Sequence, residues 1–321
     1  MDCNALHGLR VYQDLVLGGR TAVRGRRDCL GRWEVLLPHL SGCGTILDVG
    51  SNLGWFGLKI CETLPDCVVA SVEPDQRSAT LQREVLRSHR SARICLLTSR
   101  ADRRLARRFV EAGQEFDAVL CLSVLHWLPD HREFLLALGK ISRRLLIEQP
   151  DPRESGAGFA RIREEIGPIG PYLESLFPAR RLQRLAQLPS HRQSPFSREI
   201  WLVGDLPGPP KPPSAGLEVS ALLALSPSWP PRSWWQRRLA DCLDGASSRG
   251  REPRRLLFTP QGLLVQGGAA GQPTLGQLRR RVAGLPENRL LSPGQWLYRR
   301  ARRLARTALR PLGFLRCRKG R

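Results

Sequence analysis

At 321 residues the chain can bury one domain of about 200 residues and still carry an appendage. With 41% hydrophobic and 25% charged residues, wholesale disorder is excluded. The formal charge of +22 invites a nucleic-acid reading, yet residues 276–321 alone hold fourteen basic residues and one acidic residue. That is a net +13, leaving +9 for the first 275 residues.

The basicity therefore belongs largely to the tail and points to an anionic surface there: nucleic acid, acidic lipid or a polyanionic glycan. Only four of the 51 basic residues are lysines, and a GC-rich coding sequence accounts for part of the arginine excess.

Residues 1–25 show no signal-peptide core, because Asp2, Arg10, Asp14 and Arg20 interrupt them. No run of about 18 apolar residues occurs, so no transmembrane span is expected. The nine cysteines include no Cys-x-x-Cys pair and no zinc-ligand spacing. They read as reduced, small hydrophobes, which suits a cytoplasmic setting.

In chain order, Arg20 to Asp28 is a basic stretch leading into a helix from Arg32-Trp33 to Leu40. Arg32 is a candidate for meeting a carboxylate or an anionic acceptor, against the plainer reading of a solvated basic face. From Thr45 to Leu206, short β-like runs alternate with amphipathic helices, the signature of a parallel sheet with crossover helices. Strands are expected at 46–49, 68–73, 92–97, 116–122 and 145–148, with helices at 55–64, 76–88, 100–112 and 134–143. A helix at 169–177 and two late strands, 181–188 and 199–203, complete a seven-stranded sheet. The expected class is thus α/β, a doubly wound, mostly parallel Rossmann-like sheet. The Pro-rich run at 207–216 reads as a linker between a domain at 1–206 and an appendage at 217–321. In the appendage, 216–225 reads as a short helix and 256–266 as a hairpin.

The chemistry concentrates in Asp48-Val49-Gly50-Ser51-Asn52-Leu53-Gly54, where the first long apolar strand turns directly into a helix. Gly50 permits a sharp turn, and Gly54 permits close approach of a ligand or strand. The helix N-terminus offers unpaired amides to a carboxylate or phosphate, and Asp48 offers a carboxylate to an ammonium group. Glu73 ends the next strand, placed to take both hydroxyls of a ribose. A nicotinamide dehydrogenase is the runner-up, weakened because Ser51-Asn52 stands where its second glycine admits pyrophosphate.

These residues resemble the class I S-adenosylmethionine (SAM)-dependent methyltransferases. Ile46 to Gly54 looks like their first motif, Val72-Glu73-Pro74-Asp75 like their second, and Phe116 to Leu128 like their fourth-strand motif. The resemblance covers roughly residues 30–206. It implies SAM as cofactor, with Gly50, Ser51, Asn52 and Gly54 facing its methionine part, Glu73 its ribose, and Asp75 or a neighbour its adenine. After the third strand, Thr98, Ser99 and Asp102 compete for the remaining adenine contact.

Ligands of open α/β sheets bind beyond the strand C-termini, which puts Cys121, Leu122, Ser123, His126 and Trp127 near the sulfonium. His126 is the one residue of that group suited to act as a base near neutral pH, set against a structural role. Trp127 reads more readily as core. The acceptor is expected to be a small molecule or a glycan- or lipid-linked intermediate. An RNA methyltransferase and a non-catalytic interaction protein are the alternatives. In the tail, residues 296–309 form a basic amphipathic pattern suited to acidic lipid at the inner membrane face, to RNA, or to packing back on the domain.

Overall fold

The computed structural model describes residues 10–89, 93–111, 113–191, 195–204, 216–218, 255–259 and 262–266. A short hairpin, β1 (Leu15–Leu17) with β2 (Arg20–Val23), precedes α1 (Cys29–Leu40). Asp28 starts α1 by accepting from the Gly31 amide at 2.9 Å, an N-cap that satisfies one donor of the first turn.

Strands and helices then alternate: β3 (Thr45–Val49), α2 (Trp55–Thr63), β4 (Val68–Val72), α3 (Gln76–His89), β5 (Ile94–Leu97) and α4 (Arg103–Glu111). Next come β6 (Phe116–Leu122), a 3-10 turn (Leu125–Trp127), α5 (His131–Ile141) and β7 (Ser142–Pro150). A short α6 (Ala157–Arg161) runs into a π turn (Ile162–Ile166), followed by α7 (Ile169–Leu176), β8 (Leu182–Pro189) and β9 (Ser197–Val203).

The seven strands β3 to β9 form one sheet in the order β5-β4-β3-β6-β7-β9-β8. β3 to β7 are mutually parallel, while β9 pairs antiparallel with both β7 and β8. The expected Rossmann-like sheet is present, and all seven expected strands fall on β3 to β9. Of the two late strands only β9 runs against β3 to β7, because it follows β8 as a hairpin and not through a helical crossover. The winding reverses between β3 and β6, so the crevice beyond their C-terminal ends is the topological switch point.

Period-two alternation divides the core. Leu47, Val49, Val119, Cys121, Leu145 and Ile147 pack on one face with Phe109, Phe134 and Leu138 of α4 and α5. Ile46, Ala118, Leu120, Leu122 and Leu146 pack on the other with Trp33, Leu36, Phe56 and Ile60 of α1 and α2. Asp48, two residues beyond Ile46, shares the α1/α2 face. So does Glu148, two residues beyond Leu146.

Two expectations change. The helix expected from 100 begins at Arg103, because Asp102 caps it by accepting from the amides of Arg104 and Leu105 at 2.9 and 3.0 Å. Residues 217–218, expected in a helix, form β10 (Leu217–Glu218), whose backbone pairs with β11 (Arg255–Thr259). β11 and β12 (Gly262–Gln266) make the expected hairpin, and the three strands form a separate antiparallel sheet.

The linker expected at 207–216 lies almost wholly outside the described residues, and the basic helix expected at 296–309 lies entirely outside them. Among the described residues, no helix is long and apolar enough to cross a membrane.

Candidate functional site

Strand register levels the site residues along one edge. Val49 is paired with Val72 on β4 and with Cys121 on β6, and Leu122 is paired with Glu148 on β7. The residues just past these pairs, Gly50, Glu73 and Ser123, therefore emerge together at the switch point.

The turn after β3 is left-handed at three places: Gly50 (φ +72°), Asn52 (φ +53°) and Gly54 (φ +78°). A Cβ on Gly50 would sit 2.8 Å from Val124 Cγ2, and one on Gly54 would sit 2.6 Å from Gln82 Nε2. Both glycines are thus required by φ and by packing. Asparagine tolerates the left-handed region, so Asn52 holds a conformation that otherwise favours glycine. Its amide donates to Glu73 Oε2 at 2.7 Å, and the Asp75 amide donates to Glu73 Oε1 at 2.8 Å. Burial raises the Glu73 carboxyl above the ordinary glutamate range, against the pull of these two amides.

Asp48 is 2% exposed, and its Oδ2 has no hydrogen-bond partner. Burial pushes its carboxyl up to about 7, against the pull of Arg27 and with a push from Glu73. A buried, unpartnered carboxylate oxygen at this edge fits the ammonium of an amino-acid-bearing ligand such as SAM.

Two amides at the entry to α2 are engaged within the protein. Gln13 Oε1 accepts from the Leu53 and Trp55 amides at 3.2 and 3.3 Å. Ser51 also turns away, donating from Oγ to Gln82 Oε1 at 2.9 Å. Asp75 spends its carboxylate as a cap of α3, accepting from the Ser78 amide at 2.7 Å. Cys121 and Leu122 send their side chains into the two opposite cores.

Beside the turn lies a buried ionic cluster. Glu148 pairs through Oε2 with Arg27 Nη2 and through Oε1 with Arg32 Nε at 2.6 Å. Ser123 Oγ donates to Glu148 Oε2 at 2.6 Å and accepts from Arg198 Nη1 at 2.9 Å. Arg198 pairs in turn with both oxygens of Glu154, at 3.1 and 2.8 Å. Burial alone would raise the Glu148 carboxyl, but Arg27, Arg32 and the Ser123 hydroxyl outweigh it and hold it at about 2. Three arginines against two glutamates leave the cluster one positive charge in excess. Arg32, read from sequence as solvated or ligand-binding, is 1% exposed and consumed by Glu148.

His126 is buried, its ring stacked on Phe159 at 4.8 Å and its carbonyl accepting from Arg161 Nη2 at 2.9 Å. Trp127, expected in the core, is 71% exposed. Three residues of a 3-10 turn point three ways, and Leu125 and His126 take the inward directions.

Sequence reasoning missed Gln13, Arg27, Glu154, His191 and Arg198. His191 sits between β8 and β9 with its ring 4.7 Å from that of Tyr12. Burial, then Arg198, Arg27 and Arg32, lower its imidazole to about 3, so it stays neutral. The one legible hint was Glu148, an acid closing an otherwise apolar strand.

No family model matches the chain, and no curated protein matches its sequence. Solved structures do match. WbdD with the kinase inhibitor LY294002 gives a TM-score of 0.53 at 14% identity, over 89% of this chain and 72% of that one. A second structure, of the bifunctional kinase-methyltransferase WbdD, gives 0.51 at 14% identity over the same shares. The N-terminal domain of EvdMO1 with SAH bound gives 0.45 at 17% identity, over 64% of this chain and 94% of that one. The sheet order, the antiparallel β9 and the likeness to WbdD together show that the chain has the class I SAM-dependent methyltransferase fold.

Proposed function

We propose that the chain transfers a methyl group from SAM to a small molecule or a glycan- or lipid-linked intermediate. The observation that carries this reading is the unpartnered Oδ2 of Asp48, on the strand next to the one that Glu73 follows, at the switch point of the sheet. Asp48 would hold the ligand's ammonium, Glu73 its ribose hydroxyls, and the backbone of Gly50 to Gly54 would border its methionine part. When bound, SAM supplies an electrophilic methyl on a sulfonium. The protein's own contribution is then alignment and exclusion of water.

Support for a compact acceptor comes from the edge after β6, where the exposed indole of Trp127 adjoins the buried His126, itself stacked on Phe159. An exposed aromatic face of this kind offers a platform for a sugar ring or another flat apolar surface. His126 is the candidate base, in a position fixed by its stacking on Phe159. Nucleic acid is disfavoured because Arg27, Arg32, Arg180 and Arg198 are buried, so they do not add to a basic surface.

Calorimetry with SAM and S-adenosylhomocysteine (SAH) tests the cofactor. Radiolabelled methyl transfer to fractionated RNA, lipid, glycan and protein tests the acceptor. Micromolar SAH binding with label in the lipid or glycan fraction is expected. A folded protein that binds neither compound overturns the reading, and label confined to RNA overturns the acceptor class.

A further inference from the structure

We propose that a cleft beside α2 binds an amphiphilic acid, a carboxylate or phosphate carried on an apolar body. The cleft measures about 490 Å³ and lies between the β1–β2 hairpin, the first turn of α1 and one side of α2. That volume falls within the roughly 300–1,000 Å³ usual for small-molecule sites. Asp48, Gly50, Glu73 and Ser123 take no part in lining it. It is therefore distinct from the switch-point crevice and stands independently of the SAM reading.

The sequence builds two walls. On α2, Trp55, Leu58, Lys59 and Glu62 recur at i, i+3, i+4 and i+7, which puts them on one helical face. The other wall is the segment from Arg24 to Leu30, and it is held firmly. Asp14 accepts from the Gly25 amide through Oδ1 at 2.7 Å and pairs with Arg24 through Oδ2 at 3.1 Å. The Arg26 and Arg27 amides donate to the carbonyls of Val11 and Tyr12 at 3.3 and 2.9 Å. A fixed backbone thus presents the cations.

Most charges of the cleft are already spent. Arg24 is on Asp14, Lys59 is on Glu62 at 2.7 Å, and Asp28 caps α1. Two groups are left over. The Arg26 guanidinium is exposed and has no ion pair or hydrogen bond among the described residues. Arg27 also lines the cleft and is 5% exposed, yet its Nε has no partner. Buried guanidinium donors are ordinarily satisfied, so the surplus points to an anionic ligand.

An apolar surplus accompanies the cationic one. Leu30 is 57% exposed and lines the same cleft as Trp55 and Leu58. A single exposed leucine is ordinary on a surface, but here it extends an apolar strip into a concave site. A bare inorganic anion leaves Leu30 uncovered, and a neutral apolar ligand leaves the two arginines unanswered. An acid on an apolar body meets both.

Calorimetry on the full chain separates the two contributions with three probes. Octyl phosphate carries acid and alkyl chain, inorganic phosphate the acid alone, and octyl glucoside the chain without charge. Octyl phosphate is expected to bind at least about tenfold more tightly than either of the others. Arg26→Gln and Leu30→Ser should each weaken it by about three- to tenfold. Both side chains are exposed, so an unchanged Tm is expected to show that the fold survives. Arg27 is left in place because it also holds the buried Glu148. Replacing Arg302 and Arg303 of the basic tail by glutamine should leave octyl phosphate binding unaltered. Binding that follows the tail substitutions instead of the cleft ones overturns the proposal. So does undetectable octyl phosphate binding, or equal binding of phosphate or octyl glucoside. Flotation with phosphatidic-acid vesicles then identifies the source of the acid. Weaker flotation of Arg26→Gln than of the wild type supports a lipid headgroup, whereas equal flotation beside the calorimetric loss supports a free acid.

Discussion

Nε of Arg32, on α1, donates to Oε1 of Glu148, on β7, at 2.6 Å, across 116 residues of chain and with both side chains withdrawn from solvent. Arg27 and Ser123 share the same carboxylate, so Glu148 joins the N-terminal segment, the end of β6 and the sheet in one knot. Removing the carboxylate leaves two guanidinium groups buried without their counter-charge. Glu148→Ala is expected to cost about 3–5 kcal/mol in urea denaturation. An exposed-pair control, Glu62→Ala, should cost under about 1 kcal/mol. Equal losses would mean the knot contributes nothing special.

The same knot sets an acid limit. Glu148 is held at about 2 in the folded chain, below the ordinary 4.5. A depressed carboxyl stabilises the fold above its unfolded pKa, and that contribution drains away as pH falls from about 4.5 toward 2. Stability measured across this window should decline more steeply for the wild type than for Glu148→Gln, which has no proton to take up. Parallel profiles would refute the assignment.

Asp48 has the opposite sign. Its carboxyl is raised from 3.8 to about 7, so the folded state is progressively penalised as pH climbs through that range. Asp48→Asn removes the penalty and should stabilise the chain at pH 8 by about 1–3 kcal/mol, while costing SAH affinity. A gain in stability paired with a loss of binding distinguishes a ligand group from a structural one. Loss of both would make Asp48 an ordinary core residue.

The contrast between Asp48 and Arg27 shows what the chain makes legible. Apolar strands ending in Asp48, Glu73 and Glu148 read directly, because burial on both faces imposes long hydrophobic runs whose ends stand out. The turn read as well, since positive φ at Gly50 and Gly54 selects glycine. Arg27 and Gln13 did not, because what defines them is a partner 121 or 40 residues away, and spacing along one chain carries no trace of that pairing. Arg32 drew notice for its charge but was given the wrong partner for the same reason. Trp127 was misassigned because hydrophobicity suggests burial, whereas a three-residue turn has only two inward directions to give. The β1–β2 hairpin was too short and too polar to register as strands.

Ser123 adopts φ +60°, uncommon for a residue with a Cβ, while its hydroxyl links Glu148 to Arg198. Two variants separate strain from bonding. Ser123→Ala loses the hydroxyl and keeps the strain, costing about 1.5–3 kcal/mol. Ser123→Gly loses the hydroxyl but relaxes the backbone, and should be more stable than the alanine variant by about 0.5–1 kcal/mol. Thermal denaturation of the pair reads the difference, and a glycine variant below the alanine one would show that the backbone there is unstrained.

Neighbouring aromatics should also part company. Trp127 is exposed, so Trp127→Ala should change stability by less than about 0.5 kcal/mol while raising the KM for the methyl acceptor. His126→Ala removes a buried ring stacked on Phe159 and should cost about 1–3 kcal/mol. Unchanged acceptor KM in Trp127→Ala would remove the indole from the acceptor platform.

The tail offers the last test. Fourteen of the 51 basic residues fall in 276–321, and the 296–309 pattern sets Trp296, Leu297, Ala301, Leu304 and Ala308 along one helical side among arginines. Such a pattern suits the surface of an anionic membrane, where apolar burial and charge attraction add, and where added salt removes only the second. We propose that this segment brings the methyltransferase-like domain to acidic lipid. In flotation with phosphatidylserine-containing vesicles, the full chain should float and the chain lacking 291–321 should not. Binding by the full chain should weaken, without vanishing, on going from 0.1 to about 0.5 M salt, because a hydrophobic share persists. RNA binding through the same arginines predicts instead a steep, near-complete salt loss with no preference for vesicles. Flotation unaffected by the truncation would place the membrane contact elsewhere and end this assignment of the tail.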